Sequence, residues 1–179
     1  MRGVHGSQEK RRSIQISQMM QRRQLLRAIS SLGLVAPIFY FPSFAQTIIV
    51  EVWKDPNCGC CQSWVDHLEA NGFKVDVRNV GNTAARKRLG MPEKLGSCHT
   101  AKVNGYVLEG HVPAADIRKL LADRPIALGL AVPGMPIGSP GMDGPEYKGR
   151  KDSFEVLLVQ KNGNTKIFTR YAGQNGTVT

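Results

Sequence analysis

The segment TIIVEVWKDPNCGCCQSW, residues 47 to 64, determines most of what this 179-residue sequence can become. Its first part, Thr47 to Trp53, is apolar and rich in β-branched residues, which predicts a buried first strand. Lys54 to Asn57 contains turn residues, and the three cysteines of the CGCC motif follow at once. From Cys60 to Asn71 apolar residues recur at helical spacing, and Gly72 stands where a helix would stop. The cysteines therefore lie between the first strand and the N-terminus of the first helix.

The remaining pattern extends this strand–helix start into an α/β domain. It predicts a strand at Phe73 to Val80, a helix from Asn82 or Thr83 to Leu89, a hairpin at Ala101 to Glu109, a helix from Pro113 to about Ala122, and a last hairpin at Phe154 to Tyr171. Residues 133 to 150 form a Gly/Pro-rich loop that is too long for a simple connector, which indicates a functional or mobile segment. This order of elements is that of a thioredoxin-like sandwich, with a central mixed sheet and flanking helices.

The cysteines of the first loop favour local chemistry over the stapling of distant segments. Cys58 and Cys61 have C-x-x-C spacing, and a helix N-terminus favours their thiolate form through its dipole and free N–H groups. Cys60 adds a third sulfur within the same turn. That addition suits multidentate metal binding better than a simple dithiol switch.

The fourth cysteine belongs to a second segment, Ser97 to Thr100, directly before the third predicted strand. In thioredoxin-like folds a proline normally faces the active cysteines at this point, whereas this sequence has Cys98 and His99. If the fold is of that type, Cys98 should lie within metal-bridging distance of Cys58 or Cys61. Thiolates with an imidazole select Cu(I), Zn(II) or iron–sulfur clusters over Mg²⁺ or Ca²⁺.

The first 45 residues have the composition of an export signal. Arg22 and Arg23 lie in a basic region that also resembles a twin-arginine signal, residues 29 to 44 are mostly apolar, and Ser43 to Ala45 fits a cleavage site. We expect cleavage after Ala45, with Met19 or Met20 as an alternative start, and a domain from residue 46 to residue 179 in the periplasm. An ordinary secretory signal explains the arginines equally well.

The charge of the chain changes once this signal is set aside. Residues 1–45 hold seven of the 24 basic residues and one of the 14 acidic residues, so the rest has 17 basic and 13 acidic residues and a net charge of +4. Because the sequence has no basic stripe with interleaved aromatics, this mild excess argues against a nucleic-acid partner. The mature chain has no apolar stretch long enough for a stable membrane span. Oligomeric state stays open.

Several other residues have a functional and a structural interpretation. We expect a solvated His67, a solvated helix face for the basic run Arg86, Lys87 and Arg88, and core packing for Trp53 and Trp64. Contacts to metal from His111, Met135 and Met142 are left open, because a thioether or an imidazole could complete a soft-metal site or simply pack. The sequence shows no Ser/His/Asp triad, phosphate loop or paired carboxylates, which excludes hydrolase and nucleotide-binding classes.

Four segments together resemble the CopG family of periplasmic copper-resistance proteins: DPNCGCCQSW at 55–64, SCHTAKVNGY at 97–106, EGHVPAADIRKLL at 109–121 and VPGMPIGSPGM at 132–142. The resemblance covers about residues 47 to 172. It implies a thioredoxin-like fold, a role in copper tolerance, and copper as the bound metal. Carried over by motif, Cys58, Cys60, Cys61 and Cys98 become the expected copper ligands, with His99 as a nitrogen ligand.

Three functions follow from these residues. The first is a copper(I)-binding protein that sequesters copper or passes it to another periplasmic copper-handling or redox protein. The second is an enzyme, a thiol–disulfide or copper oxidoreductase in which Cys58 and Cys61 are the catalytic residues and cycle between dithiol and disulfide. The third is a structural zinc site, which would require four ligands in a closed tetrahedron and a fold that collapses without metal.

Overall fold

The structure, a computed structural model, describes residues 47–174. The chain begins with two strand–helix pairs, followed by a hairpin, a third helix and three consecutive strands. The strands are β1 (Ile49–Lys54), β2 (Lys74–Arg78), β3 (His99–Val103), β4 (Tyr106–Glu109), β5 (Gly129–Ala131), β6 (Phe154–Val159) and β7 (Thr165–Tyr171). The helices are α1 (Gly59–Ala70), α2 (Thr83–Leu89) and α3 (Ala114–Asp123), with short 3₁₀ turns at Glu93–Leu95 and Pro145–Tyr147. The expected export signal at residues 1–45 lies outside the described residues.

The seven strands form one mixed sheet in the order β2-β1-β3-β4-β5-β6-β7. β1 pairs with β2 and β4 pairs with β5 in parallel, and the other neighbours are antiparallel. The predicted α/β class with a central mixed sheet and three helices is therefore confirmed. None of the helices in residues 47–174 is both long enough and apolar enough to cross a bilayer.

Successive side chains of a strand point to opposite faces of the sheet. Apolar side chains on both faces are covered by packed residues from the helices and loops. One core cluster joins strand residues such as Val52 and Leu108 to Trp64 of α1 and Ile117 of α3. A second, smaller cluster joins Val107 and neighbours on the other face to residues that follow α2, and its members are Met91, Leu95, Val107, Ala131 and Val159. Each fully buried large side chain contributes on the order of 1.5–3 kcal/mol to folding. These two clusters form the core of the described domain.

Turn residues end the elements where the sequence indicates. Gly90 adopts φ +78° at the C-terminus of α2, and the β3–β4 hairpin turns at Asn104 and Gly105 with φ values of 44° and 87°. Both central residues of such a tight turn need positive φ, which Asn and Gly tolerate. The sequence did not predict β5, because three residues are too few for a periodic signal. Gly129 in β5 is required by packing, since a Cβ there would lie 1.7 Å from the Val107 carbonyl oxygen.

The long Gly/Pro-rich loop packs on the end of α1 that carries the cysteines. Gly141 lies against that helix: a Cβ there would be 2.6 Å from the Cys60 carbonyl oxygen and 2.8 Å from the Trp64 amide nitrogen. Gly141 also has φ +86°, a conformation that glycine adopts without strain. The loop therefore forms one side of the cysteine-bearing region.

Candidate metal centre

The loop before α1 places three cysteines at the start of that helix. Asp55 organises the turn, because its side chain accepts the Asn57 amide at 2.8 Å and its carbonyl accepts the Cys58 amide at 3.2 Å. Cys58 is the N-cap of α1 and has extended dihedral angles, but no side chain caps the helix there. The free N–H groups and the helix dipole at this end favour negative charge on nearby sulfurs.

Two of these cysteines are joined. Cys58 and Cys61 form a disulfide with a Cα–Cα distance of 5.3 Å, whereas Cys60 and Cys98 are free and half-buried. The Cys60 sulfur lies 3.5 Å from the Cys58 sulfur. A thiol therefore lies directly beside a disulfide, which is the geometry in which thiol–disulfide exchange begins.

The second cysteine segment meets the first. The Cys98 sulfur lies 3.9 Å from the Cys60 sulfur, and the ligand atoms of Cys58, Cys60, Cys61 and Cys98 all lie within 4.8 Å of one another. The predicted proximity of Cys98 to the cysteines of α1 is thus observed, and their ligation of a metal stays a prediction. Four sulfurs from two separated segments form one group that could hold a soft metal.

Two buried histidines lie on the other side of Cys98. His111 Nε2 is 3.1 Å and His99 Nδ1 is 3.4 Å from the Cys98 sulfur, and the ligand atoms of these three residues also lie within 4.8 Å of one another. His111 Nδ1 donates to the Pro140 carbonyl at 2.8 Å, since a carbonyl can only accept. This hydrogen bond leaves the lone pair of His111 on Nε2, toward Cys98, as in many metal-bound histidines. His111, which the sequence left open, therefore joins His99 in the candidate site.

Burial determines the protonation of these groups. It lowers the pKa of His99 to about 3 and also lowers the pKa of His111, so both rings are neutral near pH 7 and available as ligands. Burial, with the neighbouring Cys60 as a second cause, raises the pKa of the Cys98 thiol to about 12. A metal must therefore displace a proton from Cys98 in order to bind its sulfur.

A buried ion pair holds the Cys98 segment from behind. Glu109 of β4 is fully buried and accepts hydrogen bonds from Arg86 Nε at 2.9 Å, from the Ser97 amide at 2.7 Å and from Thr100 Oγ1 at 2.7 Å. The Arg86 guanidinium lies 2.8 Å from the same carboxylate and also donates to the Ser97 carbonyl. The prediction of a solvated Arg86 is wrong, because its side chain is mostly buried and pairs with the carboxylate of Glu109. The amide and the carbonyl of Ser97 both have hydrogen-bond partners, which fix the backbone directly before Cys98.

The remaining candidates have structural roles. Trp64 is buried, donates to the Val112 carbonyl at 2.9 Å and packs 4.2 Å from the His99 ring, so the prediction of core packing is confirmed. Met135 is 53% exposed, whereas Met142 is buried and its sulfur accepts the Tyr147 hydroxyl at 3.4 Å. The prediction of a solvated His67 is wrong, because its Nε2 accepts the Ala114 amide at 3.2 Å and caps α3.

Sequence reasoning missed Glu109 and the inward-facing Arg86. A carboxylate at the end of a predicted strand and an arginine in a basic helix carry no local signal of pairing, since 23 residues separate them. The motif EGH, with Glu109 two residues before His111, was the nearest available signal.

The family model described as "Protein of unknown function, DUF411" matches residues 95–142, the part that contains Cys98, His99 and His111. A solved structure described as copper resistance protein copG, form 1, is 45% identical, with a TM-score of 0.66, and the match covers 72% of this chain and all of the other. Form 2 is 46% identical, with a TM-score of 0.65, over 70% of this chain and 99% of the other. Among curated proteins no match was found.

Proposed function

Because this chain belongs to the CopG family of copper resistance proteins, we propose that it binds copper(I) in a multi-cysteine site and serves copper resistance or homeostasis. The observation that carries the proposal is the convergence of four cysteine sulfurs within 4.8 Å of one another. The ligands are Cys58, Cys60, Cys61 and Cys98, with His99 as a nitrogen ligand. His111 is a further candidate through its contact with Cys98.

The chemistry of the donors supports copper(I) over harder metals. Thiolate sulfur is a soft ligand, and it prefers Cu(I) to Mg²⁺, Ca²⁺ or Mn²⁺. In the disulfide form the sulfurs of Cys58 and Cys61 are not thiolates, so full loading requires reduction of that bond first. Reduction takes two electrons and two protons from a thiol donor and yields two thiols, and copper then displaces their protons.

The Cys58–Cys61 disulfide favours a second candidate, a thiol–disulfide or copper oxidoreductase. In thiol–disulfide exchange the Cys60 thiolate would attack the Cys58 sulfur, form a new S–S bond and release Cys61 as a thiolate. The 3.5 Å separation of the Cys58 and Cys60 sulfurs supports this step. Cys98, 3.9 Å from Cys60, would act as the resolving thiol.

A structural zinc site is the third candidate and ranks last. Small domains that need zinc lose their fold without it, because they lack an adequate apolar core. Here two core clusters cover both faces of the sheet. This core supports a fold that does not depend on a metal.

We further propose a thioredoxin-like fold and a periplasmic location. A thioredoxin-like fold is supported by the strand order β2-β1-β3-β4, with α1 after β1 and β3 antiparallel to β1. Membership in a copper resistance family supports export, so we retain cleavage after Ala45 and a periplasmic domain from residue 46 to residue 179. Another periplasmic copper-handling or redox protein is the expected partner.

One experiment separates the three candidates: elemental analysis of reduced protein purified with copper in the absence of oxygen, combined with counting of free thiols. Copper retained after gel filtration, with the four thiols protected from alkylation, supports the copper-binding protein. Weak copper retention with turnover of a dithiol donor supports the oxidoreductase. Zinc retained in preference to copper, with unfolding on chelation, supports the structural site.

A further inference from the structure

Lys54, the last residue of β1, is a buried lysine. Its side chain belongs to a residue that is only 3% exposed, and its ammonium donates to the Asp55 carbonyl at 3.2 Å. None of the ion pairs within residues 47–174 includes Lys54. Burying an ammonium without an anion costs several kcal/mol, so an unpaired lysine in a core requires an explanation.

The buried carboxylates of this protein show how charge is normally handled in its interior. Glu109 is paired with Arg86, and Asp116 accepts hydrogen bonds from the hydroxyls of Thr169 and Tyr171. Each buried carboxylate therefore has partners, and neither of them pairs with Lys54. The lysine is the exception among the charged residues in the described interior.

The position of Lys54 places its charge where the two cysteine segments meet. Lys54 pairs with His99 across β1 and β3, so both side chains lie on the same face of the sheet, the face that Trp64 of α1 covers. The Asp55 carbonyl that accepts the ammonium also accepts the Cys58 amide at 3.2 Å. The ammonium is thus next to the N-terminus of the cysteine loop and next to the histidine that contacts Cys98.

We propose that Lys54 supplies the positive charge that balances the thiolates of the copper-loaded site. This inference rests on the copper(I)-binding function proposed above. It assigns a role in metal affinity to a residue that need not contact the metal. The charge of Lys54 also contributes, after burial and His111, to the lowered pKa of His99, which agrees with a position close to the site.

The counter-charge arises only when copper is bound. Copper displaces protons from thiols and leaves thiolates, and one Cu(I) ion held by two thiolates carries one unit of net negative charge. In the disulfide form, by contrast, the site has no such charge, and Lys54 is unbalanced. The ammonium therefore stabilises the loaded site and destabilises the empty, oxidised one.

The test compares Lys54→Met, which removes the charge and keeps most of the bulk, with Lys54→Arg, which keeps the charge. Lys102→Met on the exposed side of β3 is the matched control for loss of a lysine. Copper(I) affinity of the reduced proteins is measured by competition with a chelator, at less than one equivalent of copper. We expect Lys54→Met to bind at least about tenfold more weakly, because losing a unit charge from the interior beside the site removes an interaction of that order. Lys54→Arg and Lys102→Met should match the wild type.

Thermal unfolding of the disulfide form is the second measurement, and a merely structural lysine would not give the expected sign. Lys54→Met should be at least as stable as the wild type when oxidised and free of copper. Wild-type copper affinity in Lys54→Met overturns the inference, and so does an equal loss in Lys54→Arg. Lower oxidised stability of Lys54→Met overturns it as well, since the ammonium would then serve the fold itself. A wild type that fails to bind copper(I) refutes the proposed function instead.

Discussion

The two segments that build the cysteine cluster differ in how firmly they are held. At the start of α1, Cys58 and Cys60 are half-buried, Gly59 is exposed and Cys61 is buried, and the disulfide links residues only three apart. In the segment from Ser97 to Thr100, His99 and Thr100 are buried, and Glu109 holds the backbone. One segment can change its covalent chemistry, and the other cannot easily move.

This difference indicates a division of roles within one site. A metal site needs ligands held near their final geometry by surrounding hydrogen bonds. The Ser97–Thr100 segment meets that need for Cys98 and His99, whereas the sulfurs of Cys58 and Cys61 at the start of α1 are joined in a disulfide.

The largest loss of copper(I) affinity should come from Cys61→Ser, at the start of α1. Cys61 is fully buried, and a hydroxyl is a poor replacement for a soft thiolate. We expect copper(I) affinity to fall by about a thousandfold or more, as measured by chelator competition under reducing conditions. Ser63→Ala, a change at an exposed position of the same helix, should leave affinity unchanged. Wild-type affinity in Cys61→Ser would remove this residue from the site.

Cys98→Ala tests whether the Ser97–Thr100 segment takes part in copper binding. The three sulfurs of the loop remain in this variant, so we expect a smaller loss, on the order of a hundredfold, or a lower copper stoichiometry. The Cys58–Cys61 disulfide should still form, because both of its cysteines lie outside the altered segment. Mass spectrometry with thiol alkylation checks the disulfide. Full copper loading in the absence of oxygen would leave the redox enzyme as the better account.

Glu109→Gln removes a group that holds the Ser97–Thr100 segment and leaves every proposed copper ligand unchanged. The variant leaves Arg86 partly buried and unpaired, which should lower the free energy of unfolding by about 3 kcal/mol. Copper(I) affinity should fall about tenfold, as is typical when a group that orients a ligand is removed.

The matched control is Asp116→Asn, a second buried carboxylate whose partners, Thr169 and Tyr171, belong to β7. It should lose stability in urea denaturation and keep wild-type copper affinity. If Glu109→Gln and Asp116→Asn both lose copper affinity in proportion to their loss of stability, Glu109 has no specific effect on Cys98. The proposal that Glu109 holds the Ser97–Thr100 segment in place for copper binding would then be wrong.

His67→Leu should have the smallest effect and none on copper affinity, since His67 lies two helical turns, about 10 Å along the axis of α1, from Cys60. The variant loses the acceptor for the Ala114 amide, and we expect a loss of about 1 kcal/mol in the free energy of unfolding at pH 8. Burial lowers the pKa of His67, although Asp143 opposes the shift. The unfolded chain therefore binds the proton more readily, and the stability due to His67 is complete above about pH 6.5 and is lost as the pH falls.

Denaturation of both proteins at pH 8 and pH 5 checks this sign. The difference between wild type and His67→Leu should shrink at the lower pH. An equal difference at both values would show that the imidazole does not titrate with folding.

Local signals in the sequence were sufficient for most of the fold. The β-branched run of β1, the helical spacing of α1 and the Asn104-Gly105 turn each depend on residues close in sequence, and the structure has all three elements. β5 depends instead on the close approach of Gly129 to Val107, which no local pattern reveals. Short central strands of this kind are specified by tertiary packing.

The candidate site divides in the same way. The cysteine spacing and the place of Cys98 before β3 predicted that the four sulfurs would converge. The pairing of Arg86 with Glu109 and the isolation of Lys54 could not be predicted, because both depend on which charges meet across the folded sheet. A basic residue in a sequence gives no sign of whether its partner is water, a carboxylate or a thiolate.

The short span of the Cys58–Cys61 disulfide has a consequence for the unfolded chain. A cross-link restricts the unfolded ensemble by an amount that grows with the logarithm of the loop length, so a loop of about four residues contributes roughly 2 kcal/mol, against nearly 5 for a loop of about a hundred. Most of the conformational entropy of the denatured protein is therefore the same with the bond open or closed. Reduction of this bond should therefore lower the free energy of unfolding by only about 2 kcal/mol.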